Sequence, residues 1–131
     1  MRPFRFLRRT ARRWGRHLAA GLGLQSPLAD RGYMICATPR SGSNYLCQLL
    51  ASTGQLGIPL EYFNTIGRRK SDPGYPKDRY AQIEIVRSRG ATPNGIYALK
   101  VMPLQYRRVR ERVDLLRALP NLTFVRLRRR D

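Results

Sequence analysis

The stretch TPRSGSN, residues 38–44, combines side chains suited to holding a phosphate or sulfate group. Gly42 lets the backbone curl close to an anion. Arg40 offers a permanently charged planar fork that matches phosphate oxygens. Further hydrogen-bond donors come from Ser41, Ser43 and Asn44. The sequence therefore predicts an anion-binding loop.

Spacing separates this loop from two common phosphate loops. The ATPase loop needs G-x-x-x-x-G-K-[ST], and both its first glycine and its lysine are missing here, which disfavours magnesium-dependent nucleotide hydrolysis. The phosphatase loop needs a nucleophilic cysteine several residues before its arginine. Only Ala37, Thr38 and Pro39 separate Cys36 from Arg40, too few for that cradle.

The elements on either side of the loop indicate how it is held. Tyr33–Thr38 is a continuous apolar run, typical of a strand that is buried on both faces. A helix is predicted from Ser43, with leucines on one face and a stop at Gly54. A strand that turns directly into a helix presents free backbone N–H groups at the positive end of the helix dipole.

The remaining pattern predicts an α/β fold. Residues 54–77 are rich in Gly, Pro and Asp and predict an irregular surface segment, whereas 78–89 has helical spacing. Strands are predicted at 96–102 and 122–127, with a helix over 104–119 between them. We therefore expect a P-loop-type parallel sheet with flanking helices. Ligands of such sheets bind at the carboxyl ends of the strands.

Other charged residues are also predicted at strand ends. Lys100 lies near the end of the second strand, where its ammonium either faces the ligand cleft or reaches solvent past a packed stem. Arg128–Arg130 follow the third strand, as anion ligands or as a solvated strand end. Both groups would lie on the same edge of the sheet as the loop.

The chain of 131 residues carries 26 lysines and arginines against 8 acidic residues, a formal charge of +18. Residues 2–22 have the spacing of a basic amphipathic helix, which either covers the sheet or faces an anionic surface. We therefore divide the chain into this segment, 1–30, and a domain, 31–131. No run approaches the roughly 18 apolar residues that span a bilayer, and no export signal is predicted. A cytoplasmic location follows, with peripheral membrane attachment left open.

The cysteines and the single histidine give no metal or redox motif. Cys36 and Cys47 lie eleven positions apart, in a predicted strand and a predicted helix, and are expected to be apolar fillers. His17 lies in the basic amino-terminal segment. We expect no metal ion.

Three segments resemble the bacterial trehalose 2-sulfotransferase family in the same order. They are TPRSGSNYLCQLLASTGQLGIPLEYFN at 38–64, PNGIYALKVM at 93–102 and FVRLRRRD at 124–131. Members are carbohydrate sulfotransferases that use 3'-phosphoadenosine 5'-phosphosulfate. The resemblance implies a sugar or glycolipid acceptor, and a homodimer is left open. The alternative is a basic nucleic-acid-binding or membrane-surface protein without catalysis; against it, no recognised DNA- or RNA-binding motif is present.

The resemblance also implies residue roles. The 5'-phosphosulfate would be held by Arg40, Ser41, Gly42, Ser43 and Asn44, where Asn44 replaces the more usual threonine. Glu61 would take the proton from the acceptor hydroxyl; otherwise it is a surface loop acid. Lys100 is a further candidate at the cleft, and Arg40 would stabilise charge on the leaving phosphate.

The 3'-phosphate side of the family site is only partly represented. Arg129 aligns best with the arginine that binds this phosphate, with Arg128 and Arg130 as neighbours of interchangeable role. The serine of the following helix has no counterpart, since the sequence ends at Asp131. We therefore expect the amino-terminal part of a sulfotransferase domain, and leave open whether this chain catalyses alone.

Overall fold

The computed structural model describes residues 27–128 and contains a parallel three-stranded sheet. Its strands are β1 (Arg31–Ala37), β2 (Ile96–Val101) and β3 (Leu122–Leu127), in the order β2-β1-β3. All three predicted strands are present, and the predicted α/β class is confirmed.

The central position of β1 follows from its apolar sequence. Met34, Ile35 and Ala37 are buried, because helices and loops cover both faces of the strand. Cys36 pairs with Val101 of β2, and Ala37 pairs with Leu127 of β3. The carboxyl ends of the three strands therefore lie side by side at one end of the sheet, where the 38–44 loop leaves β1.

Five helices complete the described fold. They are α1 (Ser43–Ser52), α2 (Thr65–Ser71), α3 (Arg79–Ser88), α4 (Pro103–Arg110) and α5 (Leu115–Ala118). Asp78 caps α3 by accepting a hydrogen bond from the backbone N–H of Ala81 at 2.9 Å. Gly54 follows the end of α1 with φ of 66°, in agreement with the predicted glycine stop.

The prediction of an irregular surface segment over 54–77 is wrong in two respects. The segment contains α2, and its aromatic residues Tyr62, Phe63 and Tyr75 are buried in the main core. The hydroxyl of Tyr75 donates to the carbonyl of Tyr62, which ties the end of the segment to its beginning. Buried aromatic side chains therefore fix a segment whose Gly and Pro content suggests a loop.

The helix predicted over 104–119 is two helices. α4 ends at Arg110, and α5 begins after Asp114. The break shifts the buried face by one residue, so that Leu115 is buried while Leu116 is 68% exposed. One continuous helix would have turned Leu116 toward the core, and the break instead lets Leu115 and Leu119 fill it.

Some predictions concern residues outside the described range. The amphipathic helix at 2–22, His17, Arg129 and Arg130 all lie there. Within 27–128, no helix is both long and apolar enough to cross a membrane.

Gly32 in β1 gives a test of the packing between the central strand and β2. A Cβ at this position would lie 2.1 Å from the carbonyl oxygen of Tyr97 and 2.4 Å from its ring. We expect Gly32→Ala to lower the free energy of unfolding by about 3 kcal/mol, as overpacking does. Gly74→Ala is the control, since its Cβ would meet only Asp72 Oδ1, at 3.5 Å. Urea unfolding of both variants checks this, and equal midpoints would contradict it.

Candidate functional site

The loop between β1 and α1 has the backbone shape of an anion site. Gly42 is the N-cap of α1 with φ of 80°, and no side chain caps this helix. A Cβ on Gly42 would find none of the described atoms within 4 Å, so the space above the loop is open. Since the first N–H groups of a helix have no intrahelical partner, they face this space as donors.

Two loop side chains add to this site. Arg40 is exposed and adopts φ of 59°, a left-handed conformation that is uncommon outside glycine. The hydroxyl oxygen of Ser41 is buried, and no described residue gives it a hydrogen bond. An unpaired buried hydroxyl costs about 1–3 kcal/mol, so this group fits a site that is completed by a ligand.

Lys100 joins the second strand to this loop. Its side chain is 3% exposed, so its ammonium does not reach past a packed stem into solvent. Nζ donates to Ser43 Oγ at 2.9 Å and to Asn44 Oδ1 at 2.7 Å. Asn44 and Ser43 thus hold the lysine beside the start of α1.

Glu61 lies on the other side of the same ammonium. Its Oε2 is 3.9 Å from Lys100 Nζ, and its side chain is 30% exposed. The backbone places it there: the N–H of Lys100 donates to the carbonyl of Leu60 at 3.0 Å, next to a parallel bridge between Leu60 and Leu99. Glu61 is therefore not a free surface acid but is held against the edge of β2.

Two residues that the sequence patterns did not single out also contact Glu61. Gln105 Nε2 donates to Glu61 Oε1 at 3.4 Å, and Arg68 Nε donates to the Glu61 backbone carbonyl at 3.4 Å. The guanidinium of Arg68 also lies 5.3 Å from the centre of the Tyr62 ring. No periodicity or motif assigns a site role to either residue, because both contacts form only when the chain is folded.

Lys100, Glu61 and Asn44 line one cavity of about 420 Å³. Its other walls are the inner face of α1 and one side of α2, including Gln48, Asn64, Arg68 and Ser71. Glu61 is the sole carboxylate among the described residues that line it. A carboxylate, a buried ammonium, the Arg68 side chain and neutral hydrogen-bonding groups therefore line one open cavity.

The remaining predicted site residues within 27–128 do not line this cavity. Arg40 does not line this cavity, and Arg128 is exposed just beyond β3, at the same edge of the sheet. Arg129 lies outside the described residues. The structure therefore brings together Ser43, Asn44, Lys100 and Glu61, and does not bring Arg40 or Arg128 into the wall of this cavity.

The cysteines behave as buried apolar groups. Cys47 lines the cavity and Cys36 is half-buried, and both thiols are free. Burial raises the pKa of both; at Cys47 the positive charge of Lys100 offsets part of the rise, and Glu61 adds to it. No set of His, Cys, Asp and Glu side chains within residues 27–128 could hold a metal ion.

The raised pKa predicts slow alkylation of both thiols. At pH 8 each remains protonated in the folded chain, and the thiolate is the reactive form. We expect iodoacetamide to modify Cys36 and Cys47 at least tenfold more slowly than in the urea-unfolded chain, measured by mass spectrometry. Equal rates in the two states would show that neither thiol is protected.

Comparison with known proteins identifies the family of the chain. The family model described as Stf0 sulphotransferase matches residues 32–130. A trehalose 2-sulfotransferase from Mycobacterium tuberculosis is 32% identical over 99 residues, covering 56% of this chain. The chain spans about 37% of the length of that relative. No solved structure matches. Because the family match covers well over half of the 131 residues, the chain belongs to the Stf0 sulphotransferase family.

Proposed function

We propose that this chain forms the donor and base side of a sulfotransferase site. The reaction would move a sulfuryl group from 3'-phosphoadenosine 5'-phosphosulfate to a hydroxyl of a sugar or glycolipid. The observation that carries the proposal is the buried Lys100 ammonium, placed between the anion loop and the Glu61 carboxylate. A cation between an anion site and a base suits the transfer of an anionic group.

The residues of the loop would hold the 5'-phosphosulfate. The N–H groups at the start of α1 and the hydroxyl of Ser41 are donors without protein partners among the described residues. Lys100 and Arg40 add positive charge. When bound, the cofactor would supply the sulfuryl group, and the bond between sulfur and the 5'-phosphate oxygen would break to release 3'-phosphoadenosine 5'-phosphate. These cations stabilise the charge that develops on that phosphate, as in phosphoryl transfer.

Glu61 would be the general base. An acceptor hydroxyl must lose its proton as its oxygen attacks sulfur, so a proton acceptor has to face the bound sugar. Glu61 is the carboxylate that lines the described cavity, with 30% of its side chain exposed. The hydrogen bond from Gln105 at 3.4 Å orients one of its oxygens and leaves the other near Lys100.

The cavity walls are suited to a carbohydrate acceptor. Gln48, Asn64 and Ser71 offer neutral hydrogen-bonding groups, and Leu60 and Ala51 offer apolar surface. Sugars present hydroxyls and C–H faces together, so a mixed wall of this kind favours them. The name of the relative, trehalose 2-sulfotransferase, agrees with a sugar acceptor.

Calorimetry with 3'-phosphoadenosine 5'-phosphate tests the donor site without requiring turnover. We expect a measurable affinity that falls about tenfold in Arg40→Ala, the loss of one exposed charged hydrogen bond to phosphate. Arg117→Ala, an exposed arginine on α5, is the matched control and should bind normally. Equal binding by all three proteins, or none by any of them, would remove the cofactor assignment for this chain.

A further inference from the structure

A second cavity, of about 550 Å³, lies where the start of α3 meets the end of α4. None of its described lining residues also lines the cavity that holds Glu61. Its walls carry four cationic side chains, Lys77, Arg79, Arg108 and Arg112, and two acidic ones, Asp78 and Glu111. We call it the arginine cavity.

The two acidic residues form no ion pair with the four cationic side chains. Among the described residues, 27–128, one ion pair is present, between Lys100 and Glu61. Neither Asp78 nor Glu111 therefore lies within 4 Å of a cationic nitrogen of these residues. Asp78 is engaged elsewhere, because its Oδ2 accepts the capping hydrogen bond from Ala81. The cavity therefore keeps an excess of two positive charges.

Arg79 is fixed in place as a rigid donor at the cavity wall. Its Nη1 donates to the carbonyl of Phe63 at 2.9 Å and to Gln82 Oε1 at 3.0 Å. Gln82 is fully buried and is held in turn by its hydrogen bonds to Thr65 Oγ1 and the carbonyl of Pro76. These contacts engage one of the three guanidinium nitrogens and fix the guanidinium plane. The other two nitrogens are therefore held in fixed directions.

The pKa of Arg79 reflects the positive charges around it. Burial lowers the pKa of Arg79 and the charge of Arg108 lowers it further; Tyr75 opposes this shift, and Arg112 adds a smaller lowering effect. Arg108, on α4, and Arg112, in the turn after it, are both exposed and both line this cavity.

We propose that the arginine cavity is a second anion site, which binds a phosphate group carrying two negative charges. A rigid guanidinium with free N–H groups is matched to phosphate oxygens, and its fixed position reduces the entropy lost on binding. Arg108 and Arg112, which are exposed and line the same cavity, can donate charge-assisted hydrogen bonds to the same group. The excess of two positive charges equals the charge of a phosphate monoester. The group is either part of a lipid headgroup or of a phosphate ester in solution.

The site is tested by following backbone amide signals by NMR while inorganic pyrophosphate is added. We expect saturable shifts at residues 77–80 and 108–113. The double variant Arg108→Gln, Arg112→Gln should bind at this site at least tenfold more weakly. Its fold is retained because both side chains are exposed, which unchanged signals from β1 would verify.

A charge-matched control separates a built site from general attraction to a chain of charge +18. The double variant Arg31→Gln, Arg117→Gln removes two exposed arginines that do not line the cavity and should bind within twofold of the unaltered chain. Equal weakening in both double variants, or shifts that do not saturate, would overturn the proposal. Because these signals report one cavity, the result is independent of whether the loop at 38–44 binds its cofactor.

Vesicles distinguish the two sources of phosphate. The chain is sedimented with phosphatidylcholine vesicles that contain phosphatidic acid, and the two double variants are compared. Weaker sedimentation of Arg108→Gln, Arg112→Gln alone assigns a lipid headgroup to the site. Equal sedimentation of both variants, together with the loss of pyrophosphate binding in the first, assigns a phosphate ester in solution.

Discussion

Glu61→Gln, made at the equivalent position of a full-length relative, should reduce turnover about a hundredfold or more. A positioned general base contributes about 10²–10⁴ in rate, and the amide of glutamine cannot accept the proton. The variant is nearly isosteric, and its amide can still contact Gln105 and lie near Lys100, so cofactor affinity should change less than twofold. Steady-state rates with calorimetry on the same protein separate the two effects.

The matched control is Glu84→Gln on α3, an exposed acid that lies outside the described cavity walls. It removes the same charge and should leave turnover unchanged. A rate for Glu61→Gln within threefold of the unaltered enzyme would exclude Glu61 as the base. A matching loss of cofactor affinity would instead assign Glu61 a structural role at the loop.

Lys100→Met should weaken binding of 3'-phosphoadenosine 5'-phosphate by about thirtyfold while changing stability little. A hydrogen bond from a charged group contributes about 1.5–3 kcal/mol, and this ammonium lies against the anion loop at 2.7–2.9 Å from its side chains. Methionine has a similar length and removes a buried charge. Removing one partner of a buried ion pair is costly when the other charge stays buried and unpaired. Glu61, which is 30% exposed, remains solvated when it loses its partner.

Calorimetry and urea unfolding of the same variant give the two measurements. Lys70→Met, an exposed lysine on α2, is the control and should alter neither. Unchanged affinity in Lys100→Met would mean that the ammonium serves the fold alone. A stability loss of about 3 kcal/mol or more would mean that its hydrogen bonds to Ser43 and Asn44 outweigh the cost of burying the charge.

The part of the site carried by local sequence was predictable. The apolar run before Thr38, the glycine at 42 and the leucine spacing after Ser43 are short-range signals, and the structure places β1, the loop and α1 accordingly. The ends of β2 and β3 follow from their own apolar runs. Parallel pairing then brings Lys100 and Arg128 to the edge where the loop lies.

The parts that depend on distant contacts could not be predicted. The bonds between Lys100 and residues 43–44 span 56 and 57 positions, and no local pattern encodes them. Segment 54–77 has little periodicity, yet Tyr62, Phe63 and Tyr75 fix it through the core. Gln105 reaches Glu61 because α4 starts directly after β2, which is a fact of topology rather than of composition.

The backbone hydrogen bond from Lys100 to Leu60 has a consequence for recombining relatives in the laboratory. This hydrogen bond sets the spacing between Glu61, which follows Leu60, and the Lys100 side chain. The stretch after Glu61, up to the start of α3, supplies Asn64, Gly67, Arg68 and Ser71 to the cavity wall but takes no part in this hydrogen bond. Under the proposed function, exchanging residues 62–78 between relatives should therefore change acceptor preference while keeping Glu61 and Lys100 at the same spacing.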